Sequence, residues 1–141
     1  MKKFYQIESY PKGDCFRTCI ACILEVDKLE DVPNFMKDGE ELFDSFYKNW
    51  LDKNGYMEIS YEIDKSKLQG KNFDGQLCIL SGINLDTLIR HSVIGRVEYK
   101  YDNNTIEYFI VHDPAEGNDS STLEIDFCTF IVSRLDIKKL K

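Results

Sequence analysis

Apolar residues recur at helical spacing up to about residue 53 and at a period close to two after it. Phe16, Cys19, Ile20, Ile23 and Leu24 share one face of a helix predicted from Cys15 to about Val26, and Arg17 is the only charge between Cys15 and Leu24. A helix that apolar is expected to be central and mostly buried. Asp14 stands at its N-cap position, behind a turn at Tyr10-Pro11-Lys12-Gly13, and residues 3–8 read as a short strand. A polar connection over 27–35 leads to a second helix over 39–53. Its stripe is Leu42, Phe43, Phe46, Tyr47, Trp50 and Leu51, which is expected to pack the helix on a sheet, and Asn54-Gly55 ends it. Strands are predicted over Tyr56–Ile63, over the apolar run Gln76–Leu80, over Arg90–Lys100 and Thr105–Val111 with Asp102-Asn103-Asn104 as their hairpin turn, and over Leu123–Leu135. Helices followed by antiparallel strands indicate an α+β fold rather than a doubly wound parallel sheet.

Composition narrows the class. The chain has 141 residues, 43% apolar and 30% charged. That is ordinary globular composition and room for a single domain over 1–141. A chain of this length buries about two-thirds of its unfolded surface. With 18 Lys and Arg against 25 Asp and Glu, the net charge of −7 disfavours nucleic acid as a partner. No apolar stretch has the length of a membrane span. Lys2 and Lys3 resemble the start of a signal peptide, but Gln6 and Glu8 occupy the place of its apolar core, so no secretory signal and a cytoplasmic location are expected. Five cysteines, three of them within Cys15–Cys22, read as free thiols and not as a disulfide framework.

Only two histidines are present, His91 and His112. A thiol at Cys15 sits in the first turn of the predicted helix, where the N-terminal partial charge favours the thiolate. His91 opens one predicted strand and Asp113 closes the next, so antiparallel pairing can bring the carboxylate to one ring nitrogen and leave the other for Cys15. Nucleophile, base and orienter are the three parts acyl chemistry needs. The side-chain amide of Gln6 and the backbone N–H of Cys15 are candidate donors to an oxyanion. Plainer readings exist. Cys19, Cys22, Cys78 and Cys128 read as small buried hydrophobes, and His112-Asp113-Pro114 reads equally as a turn. Cys15-x3-Cys19-x2-Cys22 has the spacing with which radical S-adenosylmethionine enzymes hold a four-iron cluster. Those ligands lie on a loop of a longer barrel, whereas these lie in a helical pattern. No second Cys or His pair completes a zinc site and no Gly-rich phosphate loop occurs, so neither metal nor cofactor is expected.

Together, Gln6, Gly13-Asp14-Cys15-Phe16 with Cys19, His91-Ser92-Val93-Ile94-Gly95 and Val111-His112-Asp113-Pro114-Ala115-Glu116-Gly117 resemble papain-like cysteine peptidases. The likeness is greatest to the double-glycine leader peptidase domains of bacteriocin exporters and to small stand-alone bacterial and phage relatives. The leader peptidases usually carry Gly after the Cys, where this chain has Phe16. Val32-Pro33-Asn34-Phe35 and Trp50-Leu51-Asp52-Lys53-Asn54-Gly55 are similar to the middle segments of the stand-alone proteins. The resemblance implies a helical part led by the Cys15 helix, packed on an antiparallel sheet carrying His91 and Asp113. It also implies a Cys15–His91–Asp113 triad with Gln6 lining the oxyanion hole, and a peptide or protein substrate. Three functions are compatible with that engine: hydrolysis of an amide, isopeptide or thioester, acyl transfer to an amine, or binding without turnover on the same scaffold. A toxin or effector that modifies a host protein would share the first two chemistries.

Overall fold

The structure is a computed structural model describing residues 1–7, 13–63, 72–115 and 122–135. Two helices and a five-stranded antiparallel sheet make it α+β. Helix α1 (Cys15–Leu24) is the centre of the helical part, with Thr18, Cys19, Ile20, Ala21 and Cys22 all fully buried. It stops short of Val26 because Glu25 turns into the left-handed region at φ 53°. The N–H groups of Glu25 and Val26 then close onto the carbonyls of Cys22 and Ala21. This stop usually employs glycine, and its use of a glutamate leaves no signal in the residue type.

The connection over 27–35 is not the polar linker its charges suggest. Leu29, Val32 and Phe35 are buried, with a single 3-10 turn at Leu29–Asp31. Phe35 is the hub of an aromatic cluster: the rings of Phe43, Phe46, Tyr47 and Trp50 stand edge-on to it at 6.1, 5.3, 5.5 and 5.8 Å. Helix α2 (Glu40–Lys53) packs on the sheet as expected and also closes over Phe35 and Phe16 of α1, with Tyr47 and Leu51 buried, and Leu42 lies outside the stripe at the surface. Gly55 ends this helix at φ 80°, the left-handed conformation expected of it.

The strands are β1 (Tyr56–Glu62), β2 (Leu77–Asn84), β3 (Arg90–Lys100), β4 (Thr105–His112) and β5 (Leu123–Ser133), in spatial order β1-β5-β2-β3-β4. Strand β2 runs beyond the predicted apolar stretch, through Ser81-Gly82. Side chains alternate between two cores, as a pleated strand requires. Leu77 and Ile79 of β2 meet the helices, whereas Cys78 and Leu80 enter a second core with Val93, Val97, Cys128 and Phe130. The sheet curls around that second core until its edge strands meet, with the hydroxyls of Tyr61 on β1 and Tyr108 on β4 2.9 Å apart.

Residues 1–7 belong to no helix or strand, contrary to the strand read over 3–8, whose last residue lies outside the described residues. They run alongside α1 in the opposite direction. Lys2 Nζ donates to the carbonyls of Val26 and Asp27 past the end of α1, and the Phe4 N–H donates to Cys22 Sγ at 3.2 Å. The segment lacks the ladder of backbone bonds that defines a strand, and side chains supply most of its partners. The predicted turn at Tyr10-Pro11-Lys12 lies outside the described residues. Among the described residues, no helix is long and apolar enough to cross a membrane.

Candidate active site

Cys15 is the first residue of α1 and half-exposed, while the cysteines behind it on the same helix are sealed in the core. His91 is the second residue of β3, opposite Gly82 of β2. Two irregularities frame it. The β2–β5 register slips between Ser81 and Gly82, and the β3–β4 register slips between Ile94 and Gly95. Bulges of this kind bend a strand and redirect its side chains, and they concentrate beside functional sites. A Cβ on Gly82 would fall 1.9 Å from the Glu124 carbonyl oxygen, so β5 approaches the backbone opposite His91 closely enough that only glycine fits.

Strand β4 ends at His112, paired with Ile94, and Asp113 follows at once. Its Oδ1 lies 2.6 Å from His91 Nε2 and also accepts the Ala115 N–H at 2.9 Å, a local turn that fixes the carboxylate's direction. Both side chains are nearly buried, at 13% and 10% exposure. With Nε2 engaged by Asp113, the ring nitrogen left for Cys15 is Nδ1, and Cys15 lies near enough to act on the titration of the ring. Burial pulls the His91 pKa down. The hydrogen bond to Asp113 and the nearness of Cys15 outweigh it and push the value up to about 9. One turn along α1, burial holds the Cys19 thiol well above the ordinary range, with Cys15, Cys22 and Asp113 adding to the effect, so Cys19 stays protonated.

Gln6 enters from the N-terminal segment. Its N–H donates to the Pro114 carbonyl at 2.8 Å, immediately after Asp113, and its side-chain oxygen is buried. The next N–H, that of Ile7, donates to both oxygens of Asp14 at 3.0 and 3.2 Å, immediately before Cys15. Gln6 is thus strapped between the residue following the carboxylate and the residue preceding the thiol.

Four contributors are absent from the sequence-based set. Asp14 holds the N-cap position but makes no capping bond; its carboxylate, 1% exposed, turns to Ile7 and to Arg17 Nε and Nη2, each at 3.1 Å. Arg17 Nη1 continues to the Val32 carbonyl at 2.8 Å. A lone charge in so apolar a helix needs a buried counter-charge, and Asp14 three residues earlier is the one in reach, so this pair was legible. His112 Nε2 donates to the Phe4 carbonyl at 2.7 Å, with the Tyr5 ring edge-on at 5.1 Å, and the Pro114 carbonyl receives Gln6. No sequence spacing announces those two contacts.

Among the described residues, no group of three His, Cys, Asp or Glu side chains is placed to hold a metal ion. Cys15, Cys19 and Cys22 lie along α1 rather than on a loop, and Cys22 Sγ is taken by the Phe4 N–H. No protein-family model, no curated protein and no solved structure matches the chain.

Proposed function

We propose that the protein is a papain-like cysteine peptidase or related thiol hydrolase acting on a peptide or protein substrate. The observation that carries this reading is His91 placed beside both Asp113, 2.6 Å from its Nε2, and Cys15, the three coming from separate parts of the chain. A purely structural histidine would need only one partner. This one has a carboxylate at Nε2 and a thiol near enough to act on its titration, and the thiol is the half-exposed one at a helix N-terminus. Support also comes from the arrangement of parts: a nucleophile helix packed on an antiparallel sheet that carries the base. The two middle segments of the resemblance meet in space, Phe35 against Trp50.

The chemistry follows from the geometry. His91 takes the Cys15 proton, giving a thiolate–imidazolium pair that Asp113 stabilises. The sulfur attacks the carbonyl carbon; a C–S bond forms and the carbonyl π electrons move to oxygen. The Cys15 N–H and the Gln6 side-chain amide are the donors to that oxyanion. Collapse breaks the bond to the leaving group, which departs with the proton from His91. His91 then deprotonates a water, which attacks the thioester and releases the acid and the free thiol. An amine in place of that water would make the same engine a transferase.

A library of fluorogenic peptide amides tests the reading. The wild type is expected to release fluorophore with turnover. Cys15→Ala is expected to lose at least about a thousandfold in rate, as removal of a nucleophile does elsewhere, with its melting transition unchanged. A Cys15→Ala protein that keeps full turnover would end this mechanism. A wild type that cleaves nothing, with Cys15 no more reactive than a free thiol, would favour binding in the same cleft without turnover.

A further inference from the structure

We infer that Asp14 is a positioning residue for the oxyanion-binding side of this site: clamped by Arg17, its buried carboxylate holds the Ile7 amide and so sets where Gln6 stands beside Cys15. The inference rests on the hydrolase reading and deepens it.

Phe4 packs against the helical core, but beyond it the N-terminal segment is held by polar bonds rather than by burial of its side chains. The side chains on either side of Gln6 face solvent, Tyr5 at 46% and Ile7 at 66% exposure. Apolar packing at those two positions therefore contributes little to where residue 6 stands. The backbone, by contrast, is bonded at Phe4, Gln6 and Ile7. His112 holds the Phe4 carbonyl, Pro114 holds the Gln6 N–H and Asp14 holds the Ile7 N–H. The Phe4 N–H also reaches Cys22 Sγ on α1, but of the anchors on Gln6 and Ile7 only Asp14 belongs to the nucleophile side, adjacent in sequence to Cys15. A carboxylate at this position ordinarily caps its helix, yet Asp14 gives none of its lone pairs to that task. It receives the Ile7 N–H on both oxygens and two N–H groups of Arg17 on Oδ2. Arg17 is in turn fixed by the Val32 carbonyl, so the carboxylate cannot swing away without breaking a second segment. A displacement of about 1 Å in a positioning group costs up to about a hundredfold in rate. Losing this clamp should therefore impair oxyanion stabilisation and spare the thiolate.

Two reagents separate those properties without an identified substrate. In p-nitrophenyl acetate, the Cys15 sulfur attacks the ester carbonyl, an oxyanion forms, and the C–O bond breaks to release p-nitrophenolate and leave an S-acetyl enzyme. In iodoacetamide, the sulfur displaces iodide at a saturated carbon and no oxyanion develops. The ratio of acetylation to alkylation rates, read on the Cys15 peptide by mass spectrometry, reports the oxyanion site alone. Gln6→Ala is expected to lower that ratio about a hundredfold, the usual cost of one oxyanion donor. Arg17→Met removes the charge that a neutral residue 14 would strand, so it accompanies each Asp14 substitution and the wild type is the reference. With it, Asp14→Ala is expected to lower the ratio at least tenfold. Asp14→Asn, whose side-chain carbonyl can still accept the Ile7 N–H, is expected to restore most of it.

A ratio that falls for Gln6→Ala and stays at the wild-type level for the Asp14→Ala double variant would overturn the inference and leave the hydrolase reading standing. So would equal loss of both rates in the Ala and Asn double variants, the mark of a role in folding only. A wild-type Cys15 that is neither acetylated nor alkylated faster than a free thiol would overturn the hydrolase reading instead. The wild-type protein offers a check that requires no variant to fold. The Ile7 amide is expected to be protected from hydrogen exchange although its side chain is exposed, and exchange at the rate of an open chain would overturn the clamp.

Discussion

His91 is the residue through which pH acts on this molecule. In the unfolded chain its imidazole titrates near 6.5. In the folded protein, the Asp113 carboxylate and the Cys15 thiol outweigh its burial and carry it up to about 9. The protonated ring is therefore favoured by folding. That stabilisation is fully present below about pH 6.5 and is lost as pH rises through about 9. The wild-type urea midpoint is expected to fall between pH 6.5 and 9.5, and Asp113→Asn is expected to fall clearly less over the same interval. Equal slopes in the two proteins would show that the pair does not titrate as described. Cys19 gives a companion test at the same scale. Its thiol is fully buried and held protonated, so iodoacetamide at neutral pH is expected to label Cys15 alone, with Cys19 labelled only after denaturation.

At the scale of elements, legibility depends on whether local pattern or distant packing decides. Helix α1 and the β3–β4 hairpin were readable because their periods and turn residues all point one way; Asn104 takes φ 55° in the turn expected of it. His91 and Asp113 were readable as partners because strand ends joined by a short hairpin must meet. The burial of the 27–35 connection was hidden, since Leu29, Val32 and Phe35 are spread among charged residues and a proline, and Phe35 becomes core through the aromatic rings of α2. The N-terminal segment looked like a strand from its aromatic and β-branched residues, and local preference alone does not reveal whether a neighbouring strand exists. Gly82 and Gly95 mark the bulges and carry a prediction. A methyl at Gly82 would strike backbone, 1.9 Å from the Glu124 oxygen, whereas at Gly95 its nearest obstacle is the movable Leu80 side chain at 2.3 Å. Gly82→Ala is expected to cost about 3 kcal/mol in urea denaturation, near the top of the range for overpacking, and Gly95→Ala less. Gly82→Ala should also slow Cys15 alkylation, because β2 holds the strand of His91 in register. The reverse order of stabilities would mean that the bulge is not what sets that register.

The whole molecule divides into a helical part that presents Cys15 and a curled sheet that presents His91. The sheet's curl is closed by the Tyr61–Tyr108 contact between its edge strands. Tyr61→Phe and Tyr108→Phe are each expected to cost about 1 kcal/mol, with the double variant costing little more than either, as a shared hydrogen bond requires. Full additivity would mean that the two edges are not coupled. The site itself depends on the two parts being docked in one arrangement, and its most direct test is the pH dependence of Cys15 alkylation in wild type and in His91→Ala. An ordinary thiol loses about tenfold in rate per pH unit below about 8.5. If His91 and Cys15 form the pair described, the wild-type rate stays level from pH 8 to pH 6. The His91→Ala rate then falls as an ordinary thiol's does, and the two converge above pH 9. Coincident profiles in the two proteins would contradict the account at its centre.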